Sequence, residues 1–589
     1  MGVLDIFVPK VEENEIPAYK VKVGGAPLPD KYGVASITIN HTINKIPYAQ
    51  VVILDGSVAD QKFEASDSPL FLPGKEMLIT LGTKKNPKPI FQGIIVKHSI
   101  KMLEGKPSML VVELKDKTVK LTIERKNKFF SNKTDGDIIR NILGAAYTGT
   151  VDATVTNHQE MVQYFSTDWD FVLTRAEANG MLAFVKDGKV SIKKPVVVGA
   201  PVLSVVYSNN VYEFEAEIDA RDEYKSVEAS SWDDAQRKVI TQKGTATPPY
   251  DPGNPTNAEL ADVIGLSTFS LQHSGQITNT ELRAWASSKL MRSHLAKFTG
   301  RVKIDGFKDI YPGDIIAIDK FSKRFNAKVF VSSVTHSLSA ETAFYTDIQF
   351  GLSQEWFSRK YSDISELPAS GLLPPVSGLQ IGIVKKITGD PNNDFRVKVN
   401  LPMVKTGTDG VWARLALLDA GKERGTFFFP EVDDEVIVGF MNDDPRDAVI
   451  LGSLYSKNSK GKPPLQPEQN NYKKGIFTKS KIKFQFDDEK KSVHIETPGG
   501  QKVFIEDKDN PQIVLQDKNK NKIEMTKDGI TITSGKDLKI TAKGDISIEG
   551  SKKVTVKAKQ SFNVDATGTI EIKTNSKNTI KGTPVELNP

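Results

Sequence analysis

The sequence predicts a mainly β, multidomain protein, and three observations in its 589 residues carry that prediction. Apolar pairs recur at a step of eight near the C-terminus: Ile530/Ile532, Leu538/Ile540, Ile546/Ile548, Val554/Val556, Phe562/Val564 and Ile570/Ile572. Before them Val493/Ile495, Val503/Ile505, Ile513/Leu515 and Ile523/Met525 step by ten. Far upstream, Pro73-Gly74-Lys75 opens an apolar strand that is followed by Val96-Lys97-His98-Ser99-Ile100. Pro312-Gly313-Asp314 opens Ile315-Ile316-Ala317-Ile318, followed by Val334-Thr335-His336-Ser337-Leu338. Residues i and i+2 share one face of a strand, and a step of eight keeps no helical stripe. The tail is therefore a stack of short strands, and the distant repeat predicts two related β-barrels.

Composition narrows the function. Apolar residues make up 39% of the chain, ordinary for a soluble globular protein. A net charge of +6, from 79 basic and 73 acidic residues, is too balanced to argue for nucleic acid. With no cysteine, disulfides, thiolate catalysis and cysteine-ligated zinc are excluded. No basic-headed apolar leader opens the chain, and Ile6 stands where a myristoylation motif needs Ser or Thr. No run of about 18 apolar residues offers a membrane span. Synthesis in the cytoplasm without a signal peptide is expected.

Residues 1–366 read as strands at about 20–125 and 200–355 around a helical insert. Helices are expected at 135–146, with Thr134 or Asp135 as cap and Ile138, Ile139 and Leu143 inward. Others are expected at 168–179, closed by Gly180, and at 279–298, with Leu282, Ala286 and Leu290 on one side. Residues 245–257 read as a loop. A linker at 367–375 leads to five or six short strands in 376–455, one of them at 426–430. They are separated by the turn formers Gly389-Asp390-Pro391-Asn392-Asn393 and Asn442-Asp443-Asp444-Pro445, and such a pattern predicts a small closed barrel of the OB type. A second linker, 456–475, precedes the fibre at 476–589, with ten-residue units at 484–529 and octads at 530–577.

Two inward side chains per octad are too few to fill a single-chain solenoid. One such strand also leaves its backbone and apolar face unsatisfied. Three chains wound together bring six apolar side chains to each rung, so the twelve octad residues named above are the expected core of a triple-stranded β-helix formed by a homotrimer.

The segment Gly425-Thr426-Phe427-Phe428-Phe429-Pro430-Glu431-Val432-Asp433-Asp434-Glu435-Val436-Ile437-Val438-Gly439-Phe440 resembles the barrel signature of VgrG-type spike proteins. So do Asp443-Asp444-Pro445-Arg446, Val449-Ile450-Leu451-Gly452-Ser453-Leu454-Tyr455 and Trp412-Ala413-Arg414. Gln163-Tyr164, Asp168-Trp169-Asp170-Phe171-Val172 and Arg175-Ala176-Glu177-Ala178-Asn179-Gly180 look like the family's hub motif. Asp433-Asp434 departs from the family's Val-Gly-Asp turn. The resemblance implies tube-like barrels in the hub, three copies of which form a pseudo-sixfold platform for a hexameric inner tube and the baseplate. It implies an OB barrel and a needle for puncturing a target membrane. It also implies a PAAR-type tip protein docked on Pro584, Val585, Glu586, Leu587, Asn588 and Pro589, with secreted effectors as further cargo.

Catalysis is not expected. Residues 456–475 are far short of the roughly 100 a domain needs, and nothing follows Pro589. His41, His98, His158, His273, His294, His336 and His494 form no metal-binding pair. Pro511 cuts short the calcium-like Asp507-Lys508-Asp509-Asn510, which reads as a turn. Phe427, Phe428 and Phe429 read as barrel core and not as a platform for nucleic acid. No cofactor, metal or nucleic acid is expected. A trimeric fibre or adhesin binding a surface receptor is the competing class, and it calls for a globular head after the octads. Type VI secretion, an extracellular injection particle and a phage hub-needle without a lysozyme domain all stay open.

Overall fold

Alternating apolar residues build the first sheet. In the computed structural model, which describes residues 17–57, 59–83, 85–339, 343–404, 410–458 and 460–587, they turn to one side of six antiparallel strands. These are β1 (Pro17–Val23), β2 (Val34–Thr42), β3 (Tyr48–Leu54), β4 (Glu76–Thr83), β5 (Pro87–Lys101) and β6 (Met109–Lys115), in the order β2-β3-β6-β5-β4-β1. Ile37, Ile39, Val51, Ile79, Val112 and Leu114 close their core. A second set comprises β7 (Leu203–Val206), β8 (Glu213–Ile218), β9 (Phe298–Asp305), β10 (Ile315–Asp319), β11 (Ala327–Ser339) and β12 (Ala343–Phe350). It has the corresponding order β8-β9-β12-β11-β10-β7, around Val205, Val302, Ile316, Val329, Val334 and Ile348. One direction differs: β7 runs parallel to β10, where β1 is antiparallel to β4.

The two sets share their fine structure. Gly74 N–H donates to the Ile95 carbonyl (2.8 Å) and Ile95 N–H to that of Lys75 (2.9 Å). Gly313 bonds Val331, and Val331 bonds Asp314, at the same two distances. Both glycines are left-handed, at φ +96° and +99°, a conformation a side chain would strain. A bulge follows Ile95 and another follows Val331. Counted from that bulge, His98 corresponds to Val334, so the sequence match that paired it with His336 is out by two. The sets are also not separate barrels. β2 pairs with β11 from Thr42↔Ser333 to Ser36↔Ser339, which fuses them, together with the two-residue strand Ala26–Pro27 beside β1, into one 13-stranded sheet. Pairing removes two edges that would otherwise present unpaired backbone groups.

In the chain α1 (Asp135–Tyr147) and α2 (Asp168–Ala178) lie between the sets, and α3 (Asn257–Ile264) and α4 (Asn279–Ala296) lie between β8 and β9. Thr134, Thr167, Thr256 and Thr278 cap them, each side chain accepting a backbone N–H of the first turn. α3, which the sequence reading did not anticipate, follows directly on the stretch read as a loop. The polar residues of the hub motif are structural. Buried Asp135 takes Arg175 through Nε (2.7 Å) and Nη2 (2.9 Å), His158 Nε2 (3.0 Å) and Asn179 Nδ2 (2.8 Å), while Arg175 also reaches Glu281 (2.9 Å). Burial pushes the Asp135 carboxyl up, but the His158 and Arg175 hydrogen bonds and the Arg175 charge together outweigh it and hold the group well below the usual range. Asp168 holds Lys126 (2.7 Å) and Gln163 (3.1 Å), and Glu177 accepts from Arg292 (2.5 Å) and the Phe357 N–H (2.8 Å).

This first unit runs to Gly378 and includes Phe440–Asp447; the second comprises Leu379–Gly439 and Ala448 onward. The second opens with a closed barrel of five strands: β13 (Gln380–Lys386), β14 (Val397–Asn400), β15 (Val411–Leu415), β16 (Glu435–Phe440) and β17 (Ala448–Ser453), in the order β13-β14-β15-β17-β16. Val384, Val397, Val399, Val436, Val438 and Ile450 fill it. The strand expected at 426–430 is absent among the described residues. Phe427 and Phe428 are exposed rather than core, because those valines and Ile450 already occupy the barrel interior.

Arg175→Ala strands the Asp135 carboxylate in the interior. It is expected to cost the hub about 3–5 kcal/mol, read as a lowered urea midpoint at unchanged slope.

Burial pushes His41 and His294 down to about 4 and His336 to about 3. The unfolded chain binds those protons near 6.5 and the folded hub does not, so stability falls as pH drops from 6.5 toward 4. Glu223, raised by burial to about 8, acts in the opposite sense between 8 and 4.5, with one group against three. Glu223 lies 3.3 Å from His294, and since burial favours the neutral form of each, the contact is not an ion pair at neutral pH. A hub melting temperature that holds steady from pH 6.5 to 4 would contradict this.

Candidate trimerisation face

From Lys473 the second unit is a meander of seven five-residue strands. They are β18 (Lys473–Phe477), β19 (Lys483–Asp487), β20 (Ser492–Glu496), β21 (Lys502–Glu506), β22 (Gln512–Gln516), β23 (Lys522–Thr526) and β24 (Gly529–Thr533), each antiparallel to the next. Short turns set the register. Lys481, Lys491 and Lys520 take left-handed φ, and the Asp517 carboxylate accepts the Asn519 and Asn521 N–H groups at 2.8 Å each. The Asp507-Lys508-Asp509-Asn510 stretch lies in the loop between β21 and β22.

The second and fourth residues of each strand share a face, and cross-strand pairing stacks them into two ladders. One runs Phe484, Ile495, Val503, Leu515, Ile523, Ile532. The other runs Phe486, Val493, Ile505, Ile513, Met525, Ile530. The opposite face is satisfied within the chain. Glu496 takes Lys483, Lys522 meets Glu524 at 2.6 Å, and Val514 is buried. The ladders are not: Ile495, Ile505, Ile513, Leu515, Met525, Ile530 and Ile532 are 38–69% exposed. A contiguous apolar face of this kind marks an interface. Along it lies a groove of about 640 Å³, lined by Ile495, Val503, Leu515, Ile523, Ile532 and Leu538.

Among the described residues no strand follows Thr533. The chain continues extended and bends at 535–536, 543–544, 551–552, 559–560, 567–568, 575–576 and 583–584, eight residues apart each time. Each octad pair from Leu538/Ile540 to Ile570/Ile572 therefore sits midway between two bends. The backbone period outlasts the apolar one, which slips at Asn578. Of the twelve expected core residues, Ile530 and Ile532 lie in β24. Leu538, Ile540, Ile546, Ile548, Val554, Val556, Phe562, Val564, Ile570 and Ile572 lie on the strandless stretch, exposed and not gathered by their own chain. Pro584, Val585, Glu586 and Leu587 fall at and after the last bend. Asn588 and Pro589, like residues 1–16, lie outside the described residues.

Comparisons with known proteins follow the same divisions. Residues 13–340 match the Alg8 N-terminal domain, 380–455 the type VI secretion system/phage-baseplate injector OB domain, and 492–560 the phage baseplate V C-terminal trimerisation domain. An injector OB domain followed by a baseplate trimerisation domain marks the VgrG-type spike class. The first match spans more than half of the sequence, and the chain belongs to the Alg8 N-terminal domain family. Over 89 residues it is 35% identical to the type VI secretion spike protein VgrG3 of Vibrio cholerae, which is 14% of this chain and only 9% of that protein. Among solved structures, the prophage MuSo2 43 kDa tail protein of Shewanella oneidensis is 14% identical, covering 57% of this chain and 98% of its own, at a TM-score of 0.43. A Neisseria meningitidis tail protein gives 14%, 58%, 98% and 0.42, and the lidded Francisella PdpA–VgrG complex 10%, 86%, 80% and 0.38. At TM-scores below 0.5 these likenesses add nothing to the family matches.

The departure at Asp433-Asp434 has a visible consequence. Asp433 sits at φ +75°, where glycine is favoured. Its N–H donates to the Val384 carbonyl (2.9 Å) and its carboxylate meets Lys460 Nζ (2.9 Å). Asp433→Gly is expected to stabilise the barrel by up to about 1 kcal/mol. A lowered melting temperature would count against backbone strain there.

Proposed function

We propose that the chain is the structural spike of a contractile injection apparatus, acting as a homotrimer. The observation that carries this is the pair of uncovered apolar ladders that runs into eight-residue bends with no strand partner in the same chain. Three copies supply both missing elements at once: apolar cover for the meander and lateral backbone partners for the octads. The expected core, from Ile530 and Ile532 to Ile570 and Ile572, then meets on one axis. At roughly 1.5–3 kcal/mol per buried aliphatic side chain, its burial is worth far more than any single contact of the hub.

The twofold repeat of the six-strand set supports the remaining roles. Three copies of two similar sets present six similar units, which suits docking on a hexameric inner tube and on the baseplate. The narrow trimeric stack serves to puncture the target membrane on contraction. Pro584, Val585, Glu586, Leu587, Asn588 and Pro589 would seat a PAAR-type tip protein, and effectors would travel with it. The spike would be loaded in the producing cell and be ejected or extracellular after firing.

The test is mass. Purified full-length protein is expected at three times 64.9 kDa, about 195 kDa, and a stable monomer would overturn the proposal. Replacing Ile546 and Ile548 with Asp puts six carboxylates on the axis and is expected to unseat the octads and abolish injection. An intact, injection-competent variant would count equally against it.

A further inference from the structure

We propose that the loop at residues 418–432 is a second intersubunit contact, an arm that locks each barrel against a neighbouring copy of this chain; the proposal rests on the trimeric reading above. Ala416 N–H donates to the Ile450 carbonyl at 3.0 Å, the last tie to the barrel wall before the arm begins. Ala420 and Gly421 then pair with Gly425 and Arg424 in a small hairpin. Thr426 N–H closes it on the Asp419 carbonyl (2.9 Å), and Arg424 Nη1 grips both Asp419 carboxylate oxygens at 2.6 and 2.7 Å. The arm is thus internally braced, a property expected of a contact element rather than of a slack connection.

Its apolar side chains flank that closure and face solvent. Leu418 is 98% exposed, Phe427 81% and Phe428 59%. They have no place at home, since the barrel interior is filled. A cluster of two aromatics and a leucine ringed by Asp419, Lys422, Glu423 and Arg424 has the make-up of an interface centre with a polar rim.

Two ties point to a second copy as the occupant. The arm leaves the barrel at the end where β15 and the parallel β17 finish, and β17 leads through the linker to the meander. Where the arm returns, Glu431 pairs with Lys479 Nζ at 2.8 Å in the turn between β18 and β19, and Asp433 pairs with Lys460 of the linker. The arm is therefore continuous with the trimerising face, and trimerisation holds three barrels together at the end from which three arms project. Five residues of extended chain reach about 17 Å, enough to cross onto an adjacent barrel.

The cysteine-free sequence allows a direct test in the full-length protein. Leu418→Cys and Phe427→Cys are made singly, and maleimide labelling of each folded variant is compared with labelling of the same variant in urea. Protection of about tenfold or more is expected in the trimer, because access governs thiol reaction at equal thiolate content. The double variant Phe427→Ser, Phe428→Ser is expected to keep the trimeric mass while trypsin gains entry at Lys422 and Arg424. A variant of trimeric mass that labels as fast folded as in urea overturns the arm contact and leaves the trimer standing, with the arm free for some other protein. Parent protein at monomeric mass overturns the trimeric reading itself.

Discussion

A sheet with one apolar face needs a cover, and residues 473–533 have none among the described residues of their own chain. The seven strands use their lateral hydrogen bonds on one another, and the turns close on carboxylates such as that of Asp517. Backbone pairing is therefore complete between the edge strands β18 and β24, while burial is not. In the octads both are lacking, because the extended chain has no strand beside it. Two different deficits call for the same remedy. A closed ring of copies gives each strand a neighbour on both sides and each ladder something to lie against.

The first unit works the other way, meeting its needs internally. Fusion of β2 to β11 turns two edges into one ladder. The charged residues between the strand sets are spent on one another: Asp135 on Arg175, His158 and Asn179, Asp168 on Lys126 and Gln163, Glu177 on Arg292. An acid, a histidine and an arginine within hydrogen-bonding distance invite a catalytic reading. Here the acid is shielded and already satisfied by four donors, so the cluster fastens α1, α2 and α4 together.

Much of this was legible in the sequence because its signals are periodic. The octads declare a backbone that turns every eight residues, and the bends fall at that interval. The ten-residue pairs occupy the second and fourth places of five-residue strands. Three helices lie where apolar spacing puts them, and Thr278 caps α4. What was missed depended on three-dimensional context. The stretch from Gly74 to Ile95 is three residues longer than that from Gly313 to Val331 (21 against 18), a difference the motif match does not register, so His98 and His336 stand two positions out of step. Edge fusion of the two strand sets leaves no local signal either. The run Phe427-Phe428-Phe429 is apolar enough to pass for core, and only a barrel already full of valine shows that two of its rings lie outside. The single sign of α3 was the capping pair Thr256 and Glu259, three residues apart beside a proline-rich stretch.

The change of period at Ile530 also divides the chain by reaction order. The named strands up to Thr533 take their pairing partners from their own chain, so those ladders are unimolecular. On the trimeric reading the backbone beyond it finds partners only when three chains meet, a step whose rate depends on concentration. The strand-to-bend boundary is thus a built-in checkpoint: no lone or paired chain can complete its shaft.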